Sequence, residues 1–363
     1  MIMINHRSLI ILTTILIAIS TTLAAIFSLS ILIPKSNNWA FTMTQIDRLH
    51  RLGFDGSGVT IGIVDTGVDI HHQEFDPSSF IAWKDFVNNR SKYYDDDGHG
   101  THIAGILVSK TSIQGLLSGI NMQGIAPGAK IVVAKATSKN QYPFNQINDS
   151  LIAASIQFCI DKGADIICLS LGKNLKNLKL DENSKTAGLI QKAINNGIFV
   201  IAPAGDDGQD DDGNVVFPGT LDNVITVGAT CKTGSIAVFS SRGHQYLNTQ
   251  NPNKKPELIA PGTKIMSTRN NGAYGEMSGT SQAAAYVTGI IALLLQAYPE
   301  YKHDGSKNRN QTTIKMFKET FAKTAKKIGP LEKYNDLYRH DDLYGYGLIQ
   351  AFTAYEELAK NLE

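Results

Sequence analysis

Short apolar runs alternate along most of this chain with stretches whose apolar residues recur every three to four positions. Val59–Val64, Lys130–Ala134, Asp165–Ser170, Ile198–Ala202 and Val224–Val227 are β-branched or aliphatic runs of strand length. Gly100–Ser109, Asn148–Asp161, Lys185–Asn195 (closed by Gly197) and Ser281–Ala297 have helical spacing, and Trp39–Leu52 reads as a lead-in with a short helix. Apolar strands without polar alternation are strands covered on both sides. The βαβα order therefore predicts an α/β fold, a mostly parallel central sheet with helices on both faces. Right-handed crossovers then gather the loops that follow the strands along one edge of the sheet, where α/β sites form.

The two ends differ from this rhythm. Leu9–Pro34 is rich in Leu, Ile, Ala, Ser and Thr and carries no charge, and it exceeds the roughly 20 residues a bilayer-spanning helix needs. A cleaved signal peptide has a shorter apolar core, of about 7–15 residues, although Thr22, Ala24 and Ala25 are small enough for a cleavage site. The expectation is an uncleaved single-pass anchor with the N-terminus in the cytoplasm and the rest exported, or a secreted protein if the segment is cut. Residues 1–38 thus form stub, anchor and linker, and 39–363 one catalytic domain. Near the other end, Ile314, Phe317, Phe321 and Ala325 repeat at helical spacing within the lysine-rich stretch Thr312–Lys327, so its lysines are expected on a solvated face.

Composition narrows the class. Lys+Arg number 34 against 33 Asp+Glu, which gives no reason to expect nucleic acid or an acidic partner. A monomer is expected. Charged residues at 18% and 32 glycines suit a compact, loop-bearing enzyme. Cys159, Cys168 and Cys231 are odd in number and lack metal-ligand spacing, so buried free thiols are expected rather than disulfides.

Three segments carry chemistry. Asp65 ends the first strand in Ile63-Val64-Asp65-Thr66-Gly67. His99 stands in Asp97-Gly98-His99-Gly100-Thr101-His102, and Ser281 in Gly275-Glu276-Met277-Ser278-Gly279-Thr280-Ser281. A serine hydroxyl needs a base to become a nucleophile, and the base needs an orienting acid. Gly98 and Gly100 let a helix begin tightly at His99, and Gly279 lets Ser281 open a helix whose dipole favours developing negative charge. Other readings fail on residue type. An aspartic protease needs a second Asp-Thr-Gly or Asp-Ser-Gly, which the chain lacks, and His99 and His102 lack the Glu of the zinc-protease helix. No metal is expected at this site, and His102 is a structural helix residue.

The order Asp…His…Ser and these motifs resemble the subtilisin-like (subtilase) family over about Gln45–Leu358. The resemblance implies the subtilisin-like fold and a serine endopeptidase acting on polypeptides, with Asp65, His99 and Ser281 as triad. It places Ser170, Leu171 and Gly172 on the strand end where substrate backbone pairs, and Val216-Phe217-Pro218-Gly219 beside the specificity pocket. Phe239–Gly243, Ile259–Gly262 and the closing Tyr344–Ile349 are similar to structural motifs of the family. Secreted members have a folding prodomain between signal and enzyme, whereas only about ten residues separate anchor and lead-in here, too few for a core.

Two features depart from the family pattern. Asp206, in Ala204-Gly205-Asp206-Asp207-Gly208, aligns with the oxyanion-hole asparagine. An ionised Asp repels the oxyanion, and a protonated one still donates, favouring activity at low pH. A branch of the related kexin-like convertases carries Asp here and remains proteolytic. The alternative is a catalytically impaired, membrane-tethered protein that holds peptides or a partner in the cleft. Val216 stands near a position where many subtilases have Gly, which implies a shortened pocket for small or medium P1 residues. Asp207 and Asp210-Asp211-Asp212 would instead attract basic P1 residues or cations, unless they form a solvated acidic loop. No cofactor is required. Glu74 aligns with a structural calcium ligand, but the loop Lys110–Gln123 is longer than usual and poor in carboxylates.

Overall fold

The computed structural model describes residues 7, 11, 13–22, 35–138, 148–172, 184–208, 214–243, 250–302, 310–329 and 339–360. Seven strands form one sheet in the order β2-β3-β1-β4-β5-β6-β7, with every neighbouring pair parallel. They are β1 (Thr60–Asp65), β2 (Phe80–Asp85), β3 (Lys130–Lys135), β4 (Ile166–Leu169), β5 (Phe199–Pro203), β6 (Ile225–Thr230) and β7 (Leu258–Pro261). An antiparallel hairpin, β8 (Ile265–Thr268) and β9 (Tyr274–Met277), stands apart from the sheet.

The helices are α1 (Asn38–Thr44), α2 (Ile46–Arg51), α3 (His99–Val108), α4 (Ile113–Leu117), α5 (Asp149–Asp161), α6 (Lys185–Asn195), α7 (Thr280–Ala297), α8 (Gln311–Thr324) and α9 (Ala351–Ala359). Side-chain parity in β1 assigns α3 and α5 to opposite faces. Gly62 lies against Cys159 of α5, and a Cβ there would come within 2.7 Å of its sulfur. Asp65, three residues on and pointing the other way, meets His99 of α3. α7 packs on β4 to β7 and against α3, while α5 and α6 pack together. The expected α/β sheet flanked by helices is therefore the observed one.

Among the described residues α7 is the helix long and apolar enough to cross a membrane, yet 89% of it is buried in the core. Thr13–Thr22 is a shorter apolar helix with exposed side chains. The chain end closes the β7 edge. Ile259 N donates to Gly347 O at 3.0 Å and Ile349 N to Ile259 O at 3.1 Å, so the Tyr344–Ile349 segment covers a strand that would otherwise be open.

The sequence reading left α4, β7, β8 and β9 without an element, and it differs at further points. β2 went unread because it is an edge strand with a mixed burial pattern, and α9 lies past the last segment given an element. The lysines of α8 do not all face solvent. Lys315 and Lys323 do, but Lys318 is buried, one residue after Phe317 and four after Ile314 on the apolar stripe. Glu257 makes that burial tolerable, lying 2.7 Å from Lys318 Nζ and 2.8 Å from the equally buried Lys255. Cys159 and Cys168 are buried free thiols, and Cys231 is free and half-buried.

Candidate active site

The strand order reverses around β1, which has β3 on one side and β4 on the other. The ends of β1, β4 and β5 carry Asp65, Ser170 and Asp206 into the crevice such a reversal creates. Asp65 is buried, and its Oδ1 accepts from Thr66 N at 2.7 Å. His99 opens α3 behind Gly98, whose φ of +97° is a left-handed conformation suited to glycine. His99 Nδ1 lies 2.8 Å from Asp65 Oδ1 and 3.0 Å from Oδ2. A side chain at Gly100 would strike Gly67 O at 2.1 Å, so glycine is what lets α3 approach Asp65 this closely.

Burial works against charging His99. The Asp65 carboxylate, with Asp97 and Asp95 beyond it, more than reverses that and raises the ring to about 9. His102, one turn on, is pushed down to about 3 by burial, and Nε2 lies 3.0 Å from Ile265 O. It holds the β8–β9 hairpin, the structural role expected of it.

Ser281 lies in the first turn of α7, and its Oγ donates to Ser170 O at 3.4 Å. Gly279, at the helix N-cap, has no side chain to serve the first amides, and the loop after β5 supplies the acceptor. Thr280 N and Thr280 Oγ1 donate to Asp206 Oδ1 at 2.7 and 2.9 Å, while Gly205 N donates to Thr280 Oγ1 at 3.0 Å. A Cβ on Gly279 would come 3.1 Å from Asp206 Oδ2. Asp206 reaches solvent at the cleft, but protein crowds its other sides. That desolvation raises its carboxyl above the usual range, against the Thr280 bonds and the charge of His99, with Asp207 adding to the rise.

The residues expected on the substrate side converge as well. Ser170 and Leu171 are buried, and Gly172 faces Val216, whose Cγ2 lies 2.3 Å from where a Gly172 Cβ would be. Val216 Cγ1 lies 2.7 Å from the corresponding point on Gly205. Val216 thus fills the gap between two glycine backbones. Asp207 accepts from Ser241 Oγ at 2.8 Å, and Gly208 N donates to Phe239 O at 2.7 Å, so the Phe239–Gly243 segment supports the Asp206 loop. Asp210, Asp211 and Asp212 lie outside the described residues.

Sequence reasoning missed Asp95, the middle of the network. Its Oδ1 accepts from Thr66 Oγ1 and Gly98 N at 2.9 and 2.8 Å, and its Oδ2 from Thr101 N and Oγ1 at 2.9 and 2.6 Å. It lies in the acidic run Asp95-Asp96-Asp97. The signal was its position three residues before a left-handed glycine.

Glu74 does not fit a calcium ligand. It is buried, and its Oε1 accepts from Ser112 Oγ and Tyr274 OH, both at 2.6 Å, while Oε2 accepts from Ser112 N at 3.1 Å. Donors thus occupy the positions a cation would take. Among the described residues no group of three or more His, Cys, Asp or Glu side chains could hold a metal.

The chain is similar to known proteins over most of its length. The chain is 28% identical to subtilisin DY of Bacillus licheniformis over 78% of this chain and 93% of the relative. It is 30% identical to subtilisin E of Bacillus subtilis (strain 168), over 79% of this chain and 68% of the relative, and 30% identical to the subtilisin of Bacillus pumilus, over 79% and 94%. The solved structure of MycP1 with the N-terminal propeptide removed superimposes with a TM-score of 0.67 at 23% identity, covering 87% of this chain and 96% of that one, a likeness of fold. Subtilisins are serine endopeptidases. A model of the subtilase family matches residues 56–347, and the chain belongs to that family.

Proposed function

We propose that this protein is a serine endopeptidase, exported and held at a membrane by its N-terminal apolar segment, that cleaves polypeptides through an acyl-enzyme on Ser281. The observation that carries the reading is His99 Nδ1 bonded to both oxygens of a buried Asp65, with Ser281 at the start of a buried helix. With Nδ1 engaged, Nε2 is the nitrogen that takes the Ser281 proton and later returns it to the leaving amine. Asp65 holds the ring orientation and stabilises the imidazolium. The attack closes a bond from Ser281 Oγ to the scissile carbonyl carbon. The resulting oxyanion is met by the Ser281 amide at the α7 N-terminus. Asp206 stands where a second donor would serve, so the enzyme is expected to be slow for its family. Substrate backbone pairs along Ser170-Leu171-Gly172, and Val216 limits the pocket to small or medium P1 side chains.

The test is labelling with a fluorophosphonate probe. Full-length protein should label, and Ser281→Ala should not. A folded protein that never labels, even as Asp206→Asn, would leave the cleft as a peptide-holding site.

A further inference from the structure

We infer that helix α4 is a second membrane contact, inserting Ile113, Leu116 and Leu117 into the outer face of the same bilayer that holds the N-terminal segment. The inference rests on the anchor proposed above and extends it to the catalytic core. α4 is the tip of the long loop between α3 and β3, and it exposes its apolar residues: Ile113 is 79%, Leu116 45% and Leu117 85% exposed. Ile113 and Leu117 are the two most exposed large apolar residues described. Three such side chains on five residues form a patch that a soluble surface rarely leaves uncovered.

The tip is also firmly seated. Ser112 Oγ accepts from Gly115 N at 2.9 Å and donates to Glu74, and Ile120 and Met122 pack beneath the loop with Met266. A seated loop keeps its apolar residues outward instead of folding them in.

What covers the patch follows from the position of Lys35. Lys35 N donates to Gly119 O and Asn121 N to Lys35 O, both at 2.9 Å, so Lys35 is bridged to the loop that carries α4. Asn37 continues the seating on the other side, its Nδ2 donating to Met266 O at 2.7 Å. The uncharged stretch Leu9–Pro34 ends one residue before Lys35. Lys35, which directly follows the membrane-seeking segment in sequence, is thus tied to Gly119, two residues from Leu117. That tie brings a bilayer holding the segment to the side of the core where this loop stands. An apolar helix at that level sits about 5–10 Å into the headgroup and acyl boundary. Lys35 and Lys110, near the tip in sequence, keep exposed side chains while paired with Glu276 at 3.9 Å and Asp76 at 3.0 Å.

The test uses the full chain in vesicles of phosphatidylcholine and phosphatidylglycerol. It carries a bimane label at Leu117→Cys in a Cys231→Ser background, the other two cysteines being buried. Some vesicles contain lipid with a spin label high on the acyl chain. The expected result is co-flotation with the vesicles and loss of bimane emission in the spin-labelled ones, reduced when Leu116→Asp is added. Co-flotation with undiminished emission overturns the inference and leaves the anchor intact. Failure to co-float overturns the anchor and the inference together. Shielding that ignores the spin label and grows with protein concentration assigns the patch to a second copy of the chain and overturns the bilayer as its occupant.

Discussion

Asp206 Oδ1 accepts both the amide and the hydroxyl of Thr280, the residue immediately before Ser281. The residue proposed to stand in place of an oxyanion donor thus also fastens the loop after β5 to the helix bearing the serine. Asparagine can keep those two bonds through its own Oδ1 and put an N–H where Oδ2 now stands. Asp206→Asn is therefore expected to raise kcat by up to about 100-fold, the usual worth of one such donor, with KM nearly unchanged. Asp206→Ala removes the acceptor as well and should lower stability by about 1 kcal/mol, as loss of a helix cap does. Steady-state kinetics on a peptide substrate and urea midpoints check the pair. A kcat that falls in Asp206→Asn would mean the carboxylate itself is needed.

The pH profile separates the two ways Asp206 can act. His99 works as base only when neutral, and the carboxylates around it hold its pKa at about 9. With Asp206 ionised throughout, kcat/KM should climb tenfold per pH unit and level off near that value. If a protonated Asp206 donated to the oxyanion, the reactive form would need neutral His99 and neutral Asp206 together. Its fraction is constant between the two pKa values, giving a flat profile. The expected outcome is the climbing one. In Asp206→Asn the plateau should begin at lower pH, because a negative charge that favours the imidazolium has been removed.

Val216 predicts the P1 preference. Its two methyl groups lie where side chains on Gly172 and Gly205 would be, so the space between those backbones is taken. Val216→Gly should raise the ratio of kcat/KM for Phe over Ala at P1 by about 10-fold or more, since each methylene of pocket depth is worth about 1–3 kcal/mol. A ratio that does not move would place the pocket floor elsewhere.

The parts of this molecule legible in sequence were those whose chemistry is local. Asp65, His99 and Ser281 each sit in a short motif whose glycines have a steric reason, as the 2.1 Å approach at Gly100 shows. Five buried strands of the sheet announced themselves because both faces are covered, whereas the equally buried four-residue strands β7 and β8 were too short to stand out. What escaped depends on distant partners. Tyr274 meets Glu74 from 200 residues away, and no spacing rule anticipates that bond. Lys318 looked solvated because the carboxylate that lets it be buried comes from β7. Asp206 was recognised as a departure, but its hold on Thr280 arises only when β5 and α7 are packed together.

The Lys255–Glu257–Lys318 cluster makes an alkaline prediction. Burial lowers Lys255 to about 8 in the folded protein, with Glu257 opposing and Lys318 assisting, whereas an unfolded lysine titrates near 10.4. Below pH 8 both states carry the proton. Between about 8 and 10 the unfolded chain holds more of it, so stability rises with pH through that window. The gain is on the order of 2 kcal/mol. Urea midpoints at pH 7.5 and 10 should differ in that direction, and Lys255→Met should cancel most of the difference while Lys318 keeps Glu257 paired. A midpoint that falls equally in both proteins would show that Lys255 stays charged.

Glu74 gives the last prediction, on stability without calcium. In this chain the carboxylate is satisfied by Ser112 Oγ, Ser112 N and Tyr274 OH, which tie the start of α4 and strand β9 to one buried acceptor. Burial and the Glu74 bond together push the Tyr274 hydroxyl up to about 12, so this donor persists across the working pH range. The expected outcome is a melting temperature that is the same in EDTA and in millimolar calcium. Tyr274→Phe should cost about 1–3 kcal/mol, the usual loss for a hydrogen bond to a charged group. Ser112→Ala should cost a similar amount, and the two together less than their sum, because one carboxylate serves both donors. Calorimetry with and without EDTA measures it. A calcium-dependent rise that disappears in Glu74→Gln would show that a cation displaces these hydroxyls and that the latch is its resting form.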